Sequence, residues 1–350
     1  MVPCACAALL AAVVYVAYSF RLALRGRDAI ASSEALAGTA RGASKALARS
    51  LYDRDDVLFI EPYHGLGNRL RAYASAAALA RKTGRKLAVV WIPDVHVNAS
   101  ASDLFDVSSM FVFDAPVLRR LQKSRRCILA YDYNARGRKD EVIRDTARAA
   151  VYIRSAYVLQ SQTFVTEADI SFELRRLRPC VAIRERIAEV EKNLPRTGRI
   201  IGVHVRMLAN LDIDIPGIDA LPKTDTASAA AMGPVTRNRK RCHYSSFFVH
   251  LDREIMRDRG AHILLSSDTN EALAATREKY GARVLSVSDA ARSCRERTRR
   301  NAECLRASLV EFIVMSRASA TLILSDWSSA SELIRRLADD DVPSYSGCKT

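Results

Sequence analysis

Two side chains that can bind an anion lie at the end of one short apolar run. The run begins at Ile200, and His204 and Arg206 stand on either side of Val205. Because side chains alternate along a strand, His204 and Arg206 share one face. Open α/β sheets bind ligands at the carboxyl ends of their strands, and the planar guanidinium of arginine suits phosphate. A strand that merely ends in solvated polar residues is the alternative.

Two later loops carry further polar residues between a strand and a helix. The first, Ser266 to Thr269, contains Asp268, and the second, Ser325 to Ser329, contains Ser328. In a parallel sheet these loops and Arg206 fall on the same edge. Arginine, hydroxyl groups and helix N-terminal N–H groups together suit a nucleotide diphosphate. Capping of the following helices is the structural alternative for each serine, threonine or aspartate.

A glycine-containing loop offers a second anion site in the first half of the chain. Strand Val57 to Ile60 runs into EPYHGLGNRLR, residues Glu61 to Arg71, and an alanine-rich helix follows. Gly65 and Gly67 let the backbone turn tightly and bring its N–H groups near a ligand. The loop is an incomplete dinucleotide fingerprint, because Leu70 stands where a third glycine is expected.

Two arginines in the first turn of that helix argue against a plain strand-to-helix turn. Arg69 and Arg71 oppose the helix dipole and therefore require an anionic neighbour. The candidate donor-binding residues of this loop are His64, Gly65, Gly67, Asn68 and Arg69. Those of the second half are His204, Arg206, Asp268, Thr269, Ser328 and Ser329.

Strands and helices alternate along both halves of the chain. Apolar runs predict strands that include Val57 to Ile60, Leu87 to Trp91 and His262 to Leu265, with helical stretches between successive strands. The turn residues Leu194 to Gly198 separate the halves. We expect an α/β fold with two Rossmann-like doubly wound domains, over residues 55–195 and 196–350. The long segment Met207 to Arg241 has little apolar periodicity and predicts a functional loop or a disordered segment.

The composition favours anionic partners. The chain has 350 residues, 49% of them hydrophobic, and a formal net charge of +15. Phosphates, nucleic acid, acidic glycans and lipid headgroups all fit such a charge. No basic patch interleaved with aromatic residues occurs, so a nucleic-acid partner is not expected.

The N-terminal segment is apolar and uncharged from Pro3 to Phe20, close to the length of a membrane-spanning helix. We expect a signal anchor or signal peptide over residues 1–26, a stem over 27–54, and a lumenal catalytic part at the Golgi or ER membrane. Arg21, Arg25 and Arg27 follow the apolar run rather than preceding it, so a transit sequence to another organelle is the alternative.

The cysteines do not form a zinc motif. Six of the eight lie outside the apolar segment and no CxxC pair occurs. Cys294 and Cys304 are the best local pair, although the spacing leaves the connectivity open. Asn98-Ala99-Ser100 is a sequon for N-glycosylation.

Four stretches together resemble a known enzyme family. They are HGLGNRLRAYASAAALARKTGRKLAVVW, GVHVR, LLSSDTNEALAATREKYGARVLSVS and LVEFIVMSRASATLILSDWSSASELI. In this order they resemble the motif series of the fucosyltransferase superfamily, which includes α1,6-, α1,2- and protein O-fucosyltransferases and the rhizobial nodulation fucosyltransferase. The resemblance covers Val57 to Leu337, and GLGNR and the combination of HVR with SDWSSASE are its most specific parts.

The resemblance implies a GT-B fold, GDP-fucose as co-substrate, inversion at the anomeric carbon, no cofactor and no metal. It implies a glycan or glycoprotein acceptor. His204 and Arg206 would bind the diphosphate, with Arg206 stabilising the departing GDP. Asp268 would contact guanine or ribose. The phosphate would be held by Ser328 and Ser329, and the cleft would be lined by Gly67, Asn68 and Arg69.

The general base is the least defined part of this assignment. Related α1,6-type enzymes continue HVR with polar residues, whereas Met207 and Leu208 stand here. Asp212 and Asp214 are the candidate catalytic carboxylates, and a solvated loop acid is the alternative for each. Trp327 is expected to pack under the last helix. A GT-B enzyme with another nucleotide sugar and a non-catalytic GDP-sugar- or glycan-binding protein are the alternative functions.

Overall fold

The structure is a computed structural model. It describes residues 51–52, 54–123, 128–135, 137–207, 241–285, 287, 294 and 300–348. The predicted anchor over residues 1–26 and nearly all of the predicted stem lie outside these ranges. Within them, no helix combines the length and the apolarity that a membrane crossing requires.

Residues 55–350 form one unit that contains two five-stranded sheets. The first sheet consists of β1 (Val57–Pro62), β2 (Lys86–Val90), β3 (Phe111–Phe113), β4 (Ile128–Asp132) and β5 (Ala150–Ser155). The second consists of β6 (Ile200–Val205), β7 (His262–Ser267), β8 (Val284–Leu285), β9 (Thr321–Leu324) and β10 (Ser344–Ser346). All pairs are parallel, which confirms the predicted α/β class and fits the GT-B arrangement.

Nine α-helices lie in the described ranges. Those of the first half are α1 (Leu66–Thr83), α2 (Ala101–Leu104), α3 (Leu118–Lys123), α4 (Glu167–Arg176) and α5 (Val181–Lys192). Those of the second half are α6 (Tyr244–Arg257), α7 (Asn270–Tyr280), α8 (Ala302–Ala318) and α9 (Ser329–Leu337). Helix α5 packs on α8, and α9 packs on α1 and α4, so the core is continuous between the two sheets.

Strand order reverses once in each sheet. The first sheet runs β3-β2-β1-β5-β4, so its direction changes between β1 and β5. The second runs β10-β9-β6-β7-β8, the Rossmann order, and changes between β6 and β9. Strands that diverge from a switch point leave a crevice at their carboxyl ends, where open α/β sheets bind ligands.

Strand β10 is the element that the sequence analysis missed in the second sheet. Residues Ser344–Ser346 read SYS and are exposed at the sheet edge. An apolar run or an alternation over four or more residues is the signal for a strand, and this edge segment of three residues is too short and too polar to give it. Helix α4 was also not predicted, although Thr166 and Asp169 form a capping box at its start.

Candidate functional site

A cleft of about 870 Å³ lies where the switch points of the two sheets meet. From the first sheet it receives the loop after β1 and the residues after β5, and from the second the residues after β6, β7 and β9. Nine of the predicted site residues line it: His64, Gly65, Gly67, Asn68, His204, Arg206, Asp268, Ser328 and Ser329. Residues far apart in the chain are therefore brought to one cavity by the two crossover topologies.

Two helix N-termini abut at this cleft. A β-carbon built on Gly67, in the first turn of α1, would lie 2.5 Å from the backbone oxygen of Ser329, the first residue of α9. Only glycine permits that approach. Helix α1 begins after Gly65 with no side-chain cap, whereas the hydroxyl of Ser328 caps α9 by accepting from the N–H of Ser331. Two positive dipole ends and their N–H groups form an anion site.

Arg206 stands beside these helix ends in an oriented position. Its Nη1 donates to Oδ2 of Asp268 over 2.7 Å, and its backbone N–H donates to the hydroxyl of Ser325 over 2.8 Å. The other carboxylate oxygen of Asp268 accepts from the N–H of Met207 over 3.0 Å. The carboxylate of Asp268 therefore holds Arg206 in place, and its predicted contact with guanine or ribose stays a prediction.

His204 is buried and neutral. Its side chain is 4% exposed, and its Nδ1 shares a hydrogen bond of 2.8 Å with the hydroxyl of Ser331 in α9. Burial lowers the pKa of His204 to about 4, with Arg206 adding to the shift and Asp268 opposing it. The ring also meets Phe312 edge to face, with the centroids 5.8 Å apart. His204 therefore joins β6 to the start of α9 without carrying charge.

Arg69 and Thr269, two predicted donor-binding residues, do not line the cleft. Arg69 is 1% exposed and pairs with Asp94 over 2.9 Å. It donates to the carbonyls of His64 and Ile92 and lies over the ring of Trp91. The hydroxyl of Thr269 caps α7. The anionic neighbour that Arg69 requires is thus Asp94, inside the protein. Arg69 also holds the glycine loop through its hydrogen bond to the carbonyl of His64.

Arg71 finds its anion in the second half of the chain. Its Nη1 donates to Glu332 of α9 over 2.8 Å, and its Nε donates to the carbonyl of Ala156 over 2.7 Å. Its guanidinium also lies over the ring of Tyr157. This side chain ties α1, the end of β5 and α9 together along the wall of the cleft.

Two histidines line the first-sheet side of the cleft. The rings of His64 and His96 meet edge to face, with centroids 5.5 Å apart. Burial lowers the pKa of both side chains, and for His64 the neighbouring His96 lowers it further. Both imidazoles are therefore neutral near pH 7 and can accept or relay a proton.

A buried acid in the cleft was missed by the sequence analysis. Glu311 of α8 is 5% exposed, lines the cleft and accepts from the hydroxyl of Ser266 over 2.8 Å. The signal was present in the sequence, since LVEFIVM in α8 contains one charged residue inside an apolar stretch. An acid is rarely buried without a partner, so its place in such a run marks a polar function.

Trp327 is the clearest correction. It was expected to pack under α9, but 68% of its surface is exposed and it lines the cleft. Its φ is 56°, in the left-handed region. A tryptophan that should bury its ring is instead presented to the cavity.

The candidate bases Asp212 and Asp214 lie outside the described residues, so their roles stay predictions. Among the residues that the structure does describe, no group of three or more His, Cys, Asp or Glu side chains is arranged to hold a metal ion.

Two disulfides lie in the second half of the chain. Cys294 and Cys304, both at the cleft, are bonded as the sequence analysis suggested. A second bond joins Cys242, before α6, to Cys348, after β10. The sulfur of Cys348 accepts from the N–H of Asp326 over 3.1 Å, so this bond supports the loop that carries Trp327.

The architecture has counterparts among solved protein structures. No protein-family model matches the chain, and a search of curated proteins returned no match. Two crystal structures of the fucosyltransferase NodZ from Bradyrhizobium are similar to it. One is 18% identical with a TM-score of 0.51 and covers 83% of this chain and 96% of its own. The other is 16% identical with a TM-score of 0.50, covering 81% and 94%.

A crystal structure of POFUT1 without ligand is 13% identical, with a TM-score of 0.49 over 83% of this chain and 97% of its own. The likeness to NodZ shows a shared fold, which confirms the predicted resemblance at the level of the fold.

Proposed function

We propose that this chain is a glycosyltransferase that moves fucose from GDP-fucose to a hydroxyl group of a glycan or protein, with inversion and without a metal ion. One observation carries the proposal: the N-termini of α1 and α9 abut beside Arg206 in a cleft between two Rossmann-like switch points. That is an anion site where such folds bind nucleotides. The fold shared with NodZ and the resemblance of the sequence motifs point to fucose transfer.

The diphosphate would rest on the N–H groups of the two helix N-termini and on Arg206. Negative charge develops on GDP as the sugar leaves, and a preorganised arginine stabilises it in the way that other enzymes use a metal. Asp268 already holds the Arg206 guanidinium, so the side chain needs little rearrangement. Neutral His204 anchors α9 through Ser331 without competing for the phosphate charge.

Glu311 supports guanine as the base. Guanine presents N1–H and N2–H donors on its pairing edge, whereas uracil presents a single N–H between two carbonyls. A carboxylate accepts from both guanine donors at once, and it repels the uracil carbonyls. Glu311 lies in the cleft with Ser266 as a hydrogen-bond partner, which holds the carboxylate in position.

Inversion requires a base that takes the proton of the acceptor hydroxyl. Asp214 or Asp212 fills this role in the proposal, on the strength of their position after the HVR motif. Transfer in one step then breaks the bond from fucose to phosphate on one face of the ring and forms the new glycosidic bond on the other.

We further propose a lumenal site of action, with residues 1–26 as the anchor in a Golgi or ER membrane. The two disulfides support this, because disulfides persist in oxidising compartments and are rare in the cytosol.

The test is calorimetric titration of the full chain with GDP-fucose, GDP-mannose and UDP-sugars, followed by an assay of fucose transfer. We expect selective binding of GDP-fucose and a loss of about 10- to 100-fold in affinity in Arg206→Ala, since charge-assisted hydrogen bonds to phosphate are removed. Arg119→Ala, an exposed arginine of α3 outside the cleft, is the matched control.

Other outcomes separate the alternatives. Preference for a UDP-sugar would contradict the donor assignment. Binding of GDP-fucose without transfer to any acceptor, together with no effect of Asp214→Asn and Asp212→Asn, would indicate a non-catalytic binding protein.

A further inference from the structure

Two non-glycine residues of the described ranges have left-handed backbone, and they occupy equivalent positions. His64 has φ 63° and Trp327 has φ 56°. Each comes immediately before an N-cap residue, Gly65 of α1 and Ser328 of α9. These are the two helices whose N-termini abut, and both residues line the cleft. A residue with a β-carbon is disfavoured in this region, and such strain concentrates at functional sites.

Trp327 combines this strain with exposure. Trp327 is 68% exposed, whereas Trp91, the other tryptophan of the chain, is 3% exposed and donates its Nε1–H to the carbonyl of Ala99. An exposed tryptophan forgoes the favourable burial of a large apolar surface. A ligand that covers the ring of Trp327 would account for both its backbone strain and its exposure.

The loop that carries Trp327 is held rigid. The carboxylate of Asp326 accepts from the hydroxyl of Ser346 over 2.7 Å, and the N–H of Asp326 donates to the sulfur of Cys348. Strand β10, which contains Ser346, is paired with β9 immediately before the loop. The ring is therefore presented from a fixed backbone, as a preorganised binding surface requires.

The chemistry beside the ring fits a sugar. Asp326, Ser344 and Ser346 line the cleft with Trp327. A pyranose has one face of C–H bonds, which packs on the electron-rich face of an indole, and a rim of hydroxyl groups, which pair with carboxylates and hydroxyls.

We propose that Trp327 is the stacking platform for a sugar ring of the acceptor, and therefore that the acceptor is a glycan rather than an unglycosylated peptide. The inference rests on the proposed function. The acceptor is assigned to this ring, rather than the donor, because the diphosphate occupies the helix ends at Ser328 and Ser329. Trp327 lies one residue outside them and is far more exposed, which leaves its ring open to a second substrate.

The test uses the full chain as wild type, Trp327→Ala, Trp327→Phe and Phe164→Ala. Phe164 is 76% exposed and lies outside the cleft, so it is the matched control. Each protein is applied, with and without GDP-fucose, to an array of N-glycans, chitooligosaccharides and galactosides that also carries unglycosylated serine and threonine peptides. Acrylamide quenching of tryptophan fluorescence then reports access to Trp327, because Trp91 is buried.

We expect the wild type to bind at least one glycan, which shields Trp327 from acrylamide. Trp327→Ala should weaken this binding about tenfold or more, Trp327→Phe by roughly threefold, and Phe164→Ala not at all. Affinity for GDP-fucose should stay within about twofold in every variant. A loss of glycan affinity without a matching loss of GDP-fucose affinity distinguishes the platform from a general loss of folding.

Binding of peptides only, glycan binding unchanged in Trp327→Ala, or binding to no member of the array while GDP-fucose binds would each overturn the platform. Failure of the wild type to bind GDP-fucose would instead contradict the proposed function, and it is measured separately.

Discussion

Gly67 of α1 and Ser329 of α9 are in backbone contact, with the space for a β-carbon on Gly67 already filled by the carbonyl of Ser329. This contact sets the distance between the two helix N-termini that form the proposed phosphate site. The main chain of one helix cannot move aside as a side-chain tip can, so the contact tolerates no larger residue.

Gly67→Ala is therefore expected to lower the free energy of unfolding by about 1–3 kcal/mol, the range for overpacking, even though alanine favours helix. Affinity for GDP should fall as well, because the helix ends are pushed apart. Chemical denaturation and calorimetry measure the two effects. Gly65→Ala is the control, since its β-carbon would lie 3.9 Å from the nearest atom, Nδ2 of Asn68. Equal behaviour of the two variants would contradict the role of the contact.

The ion pair between Arg71 and Glu332 should couple α1 to α9. Its atoms are 2.8 Å apart and the side chains are 21% and 24% exposed, between the surface and buried regimes. We expect a coupling energy of about 1 kcal/mol in a double-mutant cycle of Arg71→Met and Glu332→Gln, measured by denaturation. If the losses of unfolding free energy in the two single variants sum to the loss in the double variant, the pair contributes nothing to the packing of the two helices.

His204 should make stability depend on pH. Its pKa is about 4 in the folded chain against an ordinary value of 6.5, so between these values the unfolded chain is protonated and the folded chain is not. The contribution of His204 to the free energy of unfolding is therefore complete above pH 6.5. It is lost progressively as the pH falls towards 4, and the total loss is roughly 3 kcal/mol.

The check is the pH profile of the free energy of unfolding in the wild type and in His204→Asn, whose side chain does not titrate. The difference between the two profiles should decline from pH 6.5 to about pH 4. A difference that is constant over this range would mean that His204 is charged in the folded state.

The Cys242–Cys348 disulfide should stabilise both the fold and the Trp327 loop. It joins residues 106 positions apart, and closing a loop of that length is worth about 5 kcal/mol in the chain-entropy description. We expect Cys348→Ser to lower the free energy of unfolding by several kcal/mol. The variant should also increase acrylamide quenching of the second-half tryptophan, because the Asp326 N–H loses its sulfur partner.

Cys180→Ser is the matched control, as Cys180 is a free thiol of the described part of the chain and should tolerate the change. If both variants unfold alike, the disulfide has no stabilising role.

The local architecture of the chain can be predicted from its sequence. Apolar runs that alternate with helical stretches predicted two parallel sheets, and the glycine loop and the HVR strand were assigned to strand ends. These features can be predicted because the pattern of a strand, the type of a turn and the start of a helix depend on residues that are neighbours in the sequence. The convergence of Arg206, Asp268 and Ser328 on one edge of the second sheet followed from the topology that this alternation implies.

The contacts of each side chain at that edge depend on the three-dimensional fold. Arg69 and Arg71 lie two residues apart in one helical turn. Arg69 is nevertheless buried in an ion pair with Asp94, whereas Arg71 pairs with Glu332, 261 positions away. Exposure of Trp327 and pairing of Glu311 with Ser266 likewise depend on elements remote in the chain. The energy of a charged or aromatic side chain depends on the groups packed around it. The fold brings those groups together from distant parts of the sequence, so the adjacent residues do not reveal them.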